Sequence, residues 1–340
     1  MRGTRDRGLS AWSLRSQPTR NVVQGCPFHF REARGMGSTG FLAWLEPPML
    51  PCAGELGGKM AASNREAGTL QTAKSTGTEE FEVLAHGLFP RTAVSVEYRP
   101  GRFFREPSAE ALIDRAWQTY LRTSGEAGIM VYNGALFRLD SFEQIHGCLR
   151  LMLSDTDFRE CIGTASAEFR SAFPGLPQAN PLAASVALVT GDGKIIIEKR
   201  SRVDSRRRAC HVIAGYMERE KDGREPHPFD ALKREVREEL GVDLDEGQLF
   251  ATGLIRALYG SEVCFSCGLA LSFNDVQKVQ DSLGVDSEIE TLEALADSPD
   301  AVSSFLAAHS VDLAPPGRAC LLLHGRETYG EEWYEAARGL

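Results

Sequence analysis

No apolar run in this chain approaches the ~20 residues that a membrane-spanning helix needs. The greasiest stretch, Leu182–Thr190, is strand-sized and built largely of small residues, so no membrane partner is expected. Eight cysteines are spread over 340 residues, at Cys26, Cys52, Cys148, Cys161, Cys210, Cys264, Cys267 and Cys320. They form no dense framework, and they read as reduced thiols of a cytosolic-type compartment. Cys264-x-x-Cys267 has the spacing of half a zinc site. It lies in an apolar run with no second Cys/His pair beside it, so two ordinary strand residues are expected there. No internal repeat recurs at fixed spacing. None of the seven histidines has an evident triad partner or metal spacing.

Positive charge is outnumbered by negative outside the N-terminal stretch. The net charge is −9, but residues 1–78 carry ten Lys/Arg against five Asp/Glu, which leaves −14 on the remainder. A body that acidic excludes general nucleic-acid binding, which requires a basic surface. It can still meet phosphates if metal ions stand between them.

Residues 1–78 are rich in Gly, Arg, Ser and Pro and show neither helical nor strand periodicity. Such a segment buries too little apolar surface to offset its ordering entropy. Three readings stand: a disordered tail, sequence upstream of a start at Met60, or an Arg/Ser-rich targeting segment that would carry the protein to an organelle rather than the cytoplasm.

The chain as a whole has the mix of a globular protein, with 42% apolar and 25% charged residues. From Glu80 it reads as two modules, 79–178 and 179–340. In the first, strands are expected in Phe81–Tyr98 around a turn at Gly87. A helix from Ser108, a candidate N-cap, runs through Leu121, and strands come next at Met130–Leu139 and Leu149–Leu153. In the second, a hairpin turns at Gly191-Asp192-Gly193, and a short strand at His211–Ile213 leads to Ala214-Gly215. A strong helix covers Phe229–Leu240 and stops at Gly241. Strands at Gln248–Leu258 and Glu262–Ser272 come after it, then helices at Asn274–Leu283, Pro299–His309, Gly317–Leu323 and Glu331–Ala337. The fold class is α+β, with a mixed sheet between helices and a smaller N-terminal α/β module.

The chemistry concentrates in Arg234-Glu235-Val236-Arg237-Glu238-Glu239-Leu240-Gly241-Val242. Leu232, Val236 and Leu240 recur every four residues and line one helical face. Glu235, Glu238 and Glu239 stand at i, i+3 and i+4 on the neighbouring face, where they repel one another. They also occupy the last turns, where the helix dipole disfavours anions. A solvated acidic face balanced by Arg234 and Arg237 is the plain alternative. A compensating cation is the sharper one, and clustered carboxylates suit Mg²⁺ or Mn²⁺.

This segment resembles the Nudix box, G-x5-E-x7-R-E-U-x-E-E-x-G-U with U apolar, and all nine positions from Arg234 to Val242 agree. The first half departs from it. Gly215 lies 19 residues before Arg234, about five more than the consensus, so the upstream acid falls to Glu218, Glu220 or Glu225. The resemblance implies a Nudix fold over about 180–340. Glu235, Glu238 and Glu239 would be metal ligands, and Arg234 would orient a glutamate. It implies a metal-dependent hydrolase of a nucleoside diphosphate derivative.

Asp157-Phe158-Arg159-Glu160-Cys161-Ile162-Gly163-Thr164 is similar to the Y-R-D-F-x-G-T segment of the UDP-sugar diphosphatase branch of that superfamily. That branch implies hydrolysis of UDP-glucose or UDP-galactose to UMP and the sugar 1-phosphate. Phe158 would stack on uracil or serve as a core aromatic. Arg159 would meet a phosphate or base carbonyl, or else form a structural ion pair. Lys199, Arg200 and Arg202 follow the second strand of the box module, where at least one is expected to meet a phosphate; Gly215 is placed against the substrate. Glu288 is a candidate further metal ligand or general base. Other Nudix substrates such as ADP-ribose, and a catalytically silent binding module, remain alternatives.

Overall fold

The computed structural model describes residues 80–126, 131–200, 210–219, 225–284 and 289–340. The readings for residues 1–78 lie outside these, as do Arg202, Glu220, Glu288 and the side chain of Arg200. All described residues belong to one unit, Glu55–Leu340.

Eleven strands and eight α-helices are formed by the described residues. The strands are β1 (Phe81–Phe89), β2 (Val94–Arg102), β3 (Ala135–Ile145), β4 (Cys148–Asp157), β5 (Leu182–Val189), β6 (Lys194–Arg200), β7 (Cys210–His211), β8 (Ile213–Tyr216), β9 (Leu249–Ala257), β10 (Gly260–Gly268) and β11 (Ile289–Ala296). The helices are α1 (Pro107–Glu126), α2 (Phe158–Ala165), α3 (Ala167–Ala172), α4 (Pro228–Leu240), α5 (Phe273–Asp281), α6 (Pro299–Ala308), α7 (Pro315–Tyr329) and α8 (Glu331–Ala337). The large sheet runs β1-β9-β10-β5-β6-β11, with β7 added to β6 and β8 to β5. Only its β10–β5 pairing is parallel, which makes the sheet mixed. A separate three-stranded sheet has the order β2-β4-β3. β1 is thus an edge strand of the large sheet, although it precedes the strands of the small one.

Strand alternation sorts the core into two layers. Ile196 on β6 and Leu182, Ala184, Val186 and Leu188 on β5 pack with Phe229, Leu232, Val236 and Leu240 of α4. Ile195 and Ile197 point the other way, into a cluster with α6, α7 and α8. The four α4 side chains are fully buried, and each contributes roughly 1.5–3 kcal/mol of hydrophobic stabilisation. Pro228 begins α4, His227 Nδ1 accepts from Phe229 N at 3.3 Å, and Gly241 ends the helix in the left-handed region at φ 68°. Arg91 grips the first turn through two bonds to Asp230, at 2.8 and 2.7 Å.

Several expectations need correction. Gly87 is no turn: it sits at φ 141° inside β1, beside a shift of register between His86 and Phe89, and the turn comes at Arg91–Ala93, between the strands of two different sheets. α1 runs on to Glu126, its last turn carrying an Arg122–Glu126 ion pair rather than a further apolar repeat. Ser108 lies inside that helix. α7 spans Pro315–Tyr329, well past Leu323. Ile289–Ala296, for which no element is expected, is strand β11. The expectation of two ordinary strand residues at Cys264 and Cys267 holds: they face opposite layers of the sheet, as an i, i+3 pair on a strand does, and cannot share an ion. No helix among the described residues is long and apolar enough to cross a membrane.

Candidate functional site

Once α4 buries its apolar stripe, the acidic face beside it turns toward strand β8 and the chain beyond it. Glu235 is well enclosed there, with a side chain only 15% exposed. Its carboxylate lies directly over Gly215: a Cβ at that position would come within 2.3 Å of Glu235 Cδ. Only glycine leaves room for it. Arg234 Nη2 donates to Glu235 Oε1 at 2.7 Å and reaches the Tyr216 carbonyl at 3.5 Å, which ties the helix to the strand end. Arg234 Nε also stands 3.9 Å from Glu238 Oε2. Glu238 is largely exposed and Glu239 half-buried.

Burial raises the Glu235 pKa above the usual carboxylate value. Arg234 opposes the shift, while the charges of Glu238 and Glu218 add to it. Arg234 is itself raised: burial would lower it, but its bond to Glu235 and the charges of Glu235, Glu238 and Glu218 prevail. At Glu235 burial and the neighbouring negative charges outweigh the Arg234 bond. Hard oxygen donors in such a place suit a divalent cation such as Mg²⁺ or Mn²⁺, and the glycine cradle keeps one donor in a fixed position. Glu235, Glu238 and Glu239 would hold the ion.

One further acid stands near enough for its charge to bear on Glu235. Glu218, one of the upstream candidates, accepts from the Tyr132 hydroxyl at 2.8 Å. Glu225 is exposed and no contact brings it to the group. Glu198 is fully buried on β6. By alternation with Ile197 it shares the α4 face of the sheet. Sequence reading passed over it, although the Ile195, Ile197, Lys199 rhythm places it there.

The remaining candidates divide. Phe158 is half-buried in an aromatic cluster, with ring centroids 6.0 Å from Trp117, 5.9 Å from Tyr120 and 6.1 Å from Tyr216. Tyr216 adjoins Gly215, so this cluster reaches the strand end on which Glu235 rests. Arg159 instead turns to α1, pairing with Asp114 at 2.6 Å and Glu110 at 2.9 Å. Lys199 is ion-paired to Glu293 and faces the α6–α7 layer with its neighbour Cys210, away from α4.

The rest of the 157–164 segment is occupied in packing. Asp157 caps α2 by accepting from Glu160 N at 2.8 Å. Glu160, buried, takes the Thr156 hydroxyl at 2.7 Å and faces Arg105 at 3.5 Å. A Cβ on Gly163 would meet the Ile113 backbone at 2.7 Å, so α1 and α2 touch there. A shallow groove lined by Arg115, Thr119, Tyr120, Ile162 and Tyr259 lies beside these helices. It includes no residue of α4, and the chemistry of the acidic cluster outweighs its concavity as a guide to the site.

No family model matches the chain, and no curated protein does. Among solved structures it is similar to a Nudix hydrolase from Nitrosomonas europaea, at 13% identity over 44% of this chain and 90% of that one, with a TM-score of 0.31. The Nudix domain of NrtR from Shewanella oneidensis, complexed with ADP ribose, matches at 10% identity over 48% and 99%, with a TM-score of 0.32. A bifunctional NMN adenylyltransferase/ADP ribose pyrophosphatase from Francisella tularensis, complexed with AMP and manganese, matches at 13% identity over 48% and 46%, with a TM-score of 0.31. At such identities and scores these likenesses bear on neither activity nor substrate.

Proposed function

We propose that this chain is a Nudix pyrophosphohydrolase that cleaves the diphosphate of a UDP-sugar, releasing UMP and the sugar 1-phosphate. The observation that carries the proposal is the seat of the Glu235 carboxylate on Gly215, with Arg234 bonded to it and Glu238 and Glu239 beside it on the same helix. A merely solvated acidic stripe would need no such cradle. When bound, a divalent ion, Mg²⁺ or Mn²⁺, neutralises pyrophosphate charge and lowers the pKa of an attacking water.

The chain's own residues supply position and charge. Arg234 fixes the rotamer of Glu235 through a charge-assisted bond. Gly215 lets that carboxylate approach the backbone. Glu239, half-buried with its Oε2 enclosed, and Glu238, exposed, complete the donor row. The acidic surface then meets an anionic substrate only through the metal, which accounts for a phosphate chemistry on a body of net negative charge.

The UDP-sugar assignment rests on the likeness of residues 157–164 and on the place of Phe158. Its aromatic cluster ends at Tyr216, so a base stacked there would bring its diphosphate toward Gly215. Arg159 and Lys199 are committed to Glu110, Asp114 and Glu293 and serve this reading less well. Arg200, Arg202 and Glu288 stay as candidates from sequence alone.

The test is a panel of nucleotide substrates, with released UMP or AMP resolved by chromatography in Mg²⁺ and in EDTA. UMP from UDP-glucose or UDP-galactose, abolished by EDTA, is the expected result. Turnover of ADP-ribose alone would replace the substrate and keep the chemistry. Turnover of none would make the fold a binding module.

A further inference from the structure

On the sheet face opposite α4, three side chains from two distant parts of the chain converge. Cys210 is buried on β7, while His309 and Asp312 belong to the connection between α6 and α7. Cys210 Sγ lies 4.0 Å from His309 Nδ1 and 4.0 Å from Asp312 Oδ2. His309 Nδ1 stands 3.1 Å from each Asp312 oxygen. The backbone holds the two parts together: Cys210 N donates to the Asp312 carbonyl, Ala314 N to the Cys210 carbonyl and Leu313 N to the His309 carbonyl, all at 2.9 Å. The His309 ring is braced on Phe305, with centroids 4.3 Å apart. Asp312 is half exposed and opens the cluster to solvent.

A cysteine, a histidine and an aspartate invite comparison with a nucleophilic triad, but the geometry argues against one. A relay needs the two imidazole nitrogens on different partners. Here the same nitrogen, Nδ1, faces both the sulfur and the carboxylate. Three donor atoms of these kinds, all within 4.8 Å of one another, have the spacing of a ligand set. Tetrahedral zinc, with its usual bond lengths, spaces S and N about 3.5 Å apart and N and O about 3.3 Å apart. The distances found differ from these by about half an ångström or less, a shift that side-chain rotation provides.

We propose that Cys210, His309 and Asp312 form a zinc site, separate from the acidic cluster of α4. The mixed sulfur, nitrogen and oxygen donors select a borderline ion such as Zn²⁺ over Mg²⁺. Coordination would take the Cys210 proton to solvent and leave one tetrahedral position for water. Lys199, the cross-strand neighbour of Cys210, does not block the site electrostatically because Glu293 pairs with it. The ion would clamp β7, five residues before Gly215, to the α6–α7 connection.

The experiment uses the full chain, stripped with EDTA and titrated with Co²⁺ and then Zn²⁺. One Co²⁺ should bind with a thiolate-to-cobalt charge-transfer band in the near ultraviolet, and Zn²⁺ should displace it. Cys210→Ser should remove the band. His309→Gln and Asp312→Asn, at more exposed positions, should weaken binding by more than roughly tenfold with unchanged circular dichroism. They carry the test if Cys210→Ser fails to fold. The Cys26→Ser/Cys52→Ser double variant and Glu239→Gln should keep the band. Absence of the band in the wild type, or affinity unmoved by His309→Gln and Asp312→Asn, would overturn the proposal.

Discussion

The carboxylate of Glu235 and the α-carbon of Gly215 touch so closely that a methyl group on the glycine would lie 2.3 Å from Glu235 Cδ. Gly215→Ala must therefore push the glutamate aside or part α4 from β8. Overpacking of this kind costs about 1–3 kcal/mol. Displacing a catalytic group by an ångström lowers turnover by roughly a hundredfold. We expect Gly215→Ala to fold with a lowered melting temperature and to lose activity out of proportion to that loss. The same substitution on a Glu235→Gln background should cost little more activity. Additive losses in the two backgrounds would show that the glycine acts elsewhere.

Glu239→Gln keeps size and hydrogen-bonding capacity while removing one charge from the donor row. Glu239 stands half-buried at the end of α4, outside the apolar stripe of Leu232, Val236 and Leu240. The expected outcome is a fall in kcat by orders of magnitude with an unaltered denaturation midpoint. The wild type in EDTA should fall to the same level and recover with Mg²⁺. Wild-type turnover by the variant would remove the acidic helix from the chemistry.

Much of this arrangement can be read from the sequence because it is local. The spacing of Leu232, Val236 and Leu240 predicts α4 and its buried face, and Gly241 predicts its end. What joins distant residues is hidden. The insertion between Gly215 and Arg234 conceals how near the glycine lies to Glu235. The pairing of Arg159 with Asp114 and Glu110 spans 45 and 49 positions, beyond any local pattern. β11 escapes for a different reason. Ile289, Leu292 and Leu295 are its buried residues, at a spacing of three that does not resemble a strand. A register shift between Ile289 and Thr291 accounts for part of that spacing. The face of Lys199, by contrast, is available from the alternation of Ile195 and Ile197.

Arg159 offers a direct contest between a motif and its surroundings. If it served the substrate, Arg159→Ala would raise KM. Its bonds to Asp114 and Glu110 give it a structural task instead, with its own side chain 20% exposed and that of Asp114 64%. Exposed pairs of this kind are worth about 1 kcal/mol or less. We expect Arg159→Ala to lower stability by about that amount in urea titrations and to leave KM within twofold or so. A large rise in KM at unchanged stability would restore the substrate role.

Asp157 ties acid stability to the start of α2. Burial alone would raise its pKa, but the Glu160 backbone N–H, the Asn133 side chain and the Arg102 guanidinium at 2.7 Å hold it below the usual carboxylate range. A depressed pKa in the folded state means that the contribution is complete above the unfolded value of about 3.9. It drains away as pH falls through the folded value, because the unfolded chain then binds the proton more readily. Asp157→Ala removes both the cap and the ion pair. It should cost about 1 kcal/mol or more near neutral pH, and the gap to the wild type should narrow below about pH 4. Urea midpoints measured from neutral pH into acid give the comparison. A gap that stays constant down the whole series would mean that Asp157 stabilises α2 by packing rather than by its charge.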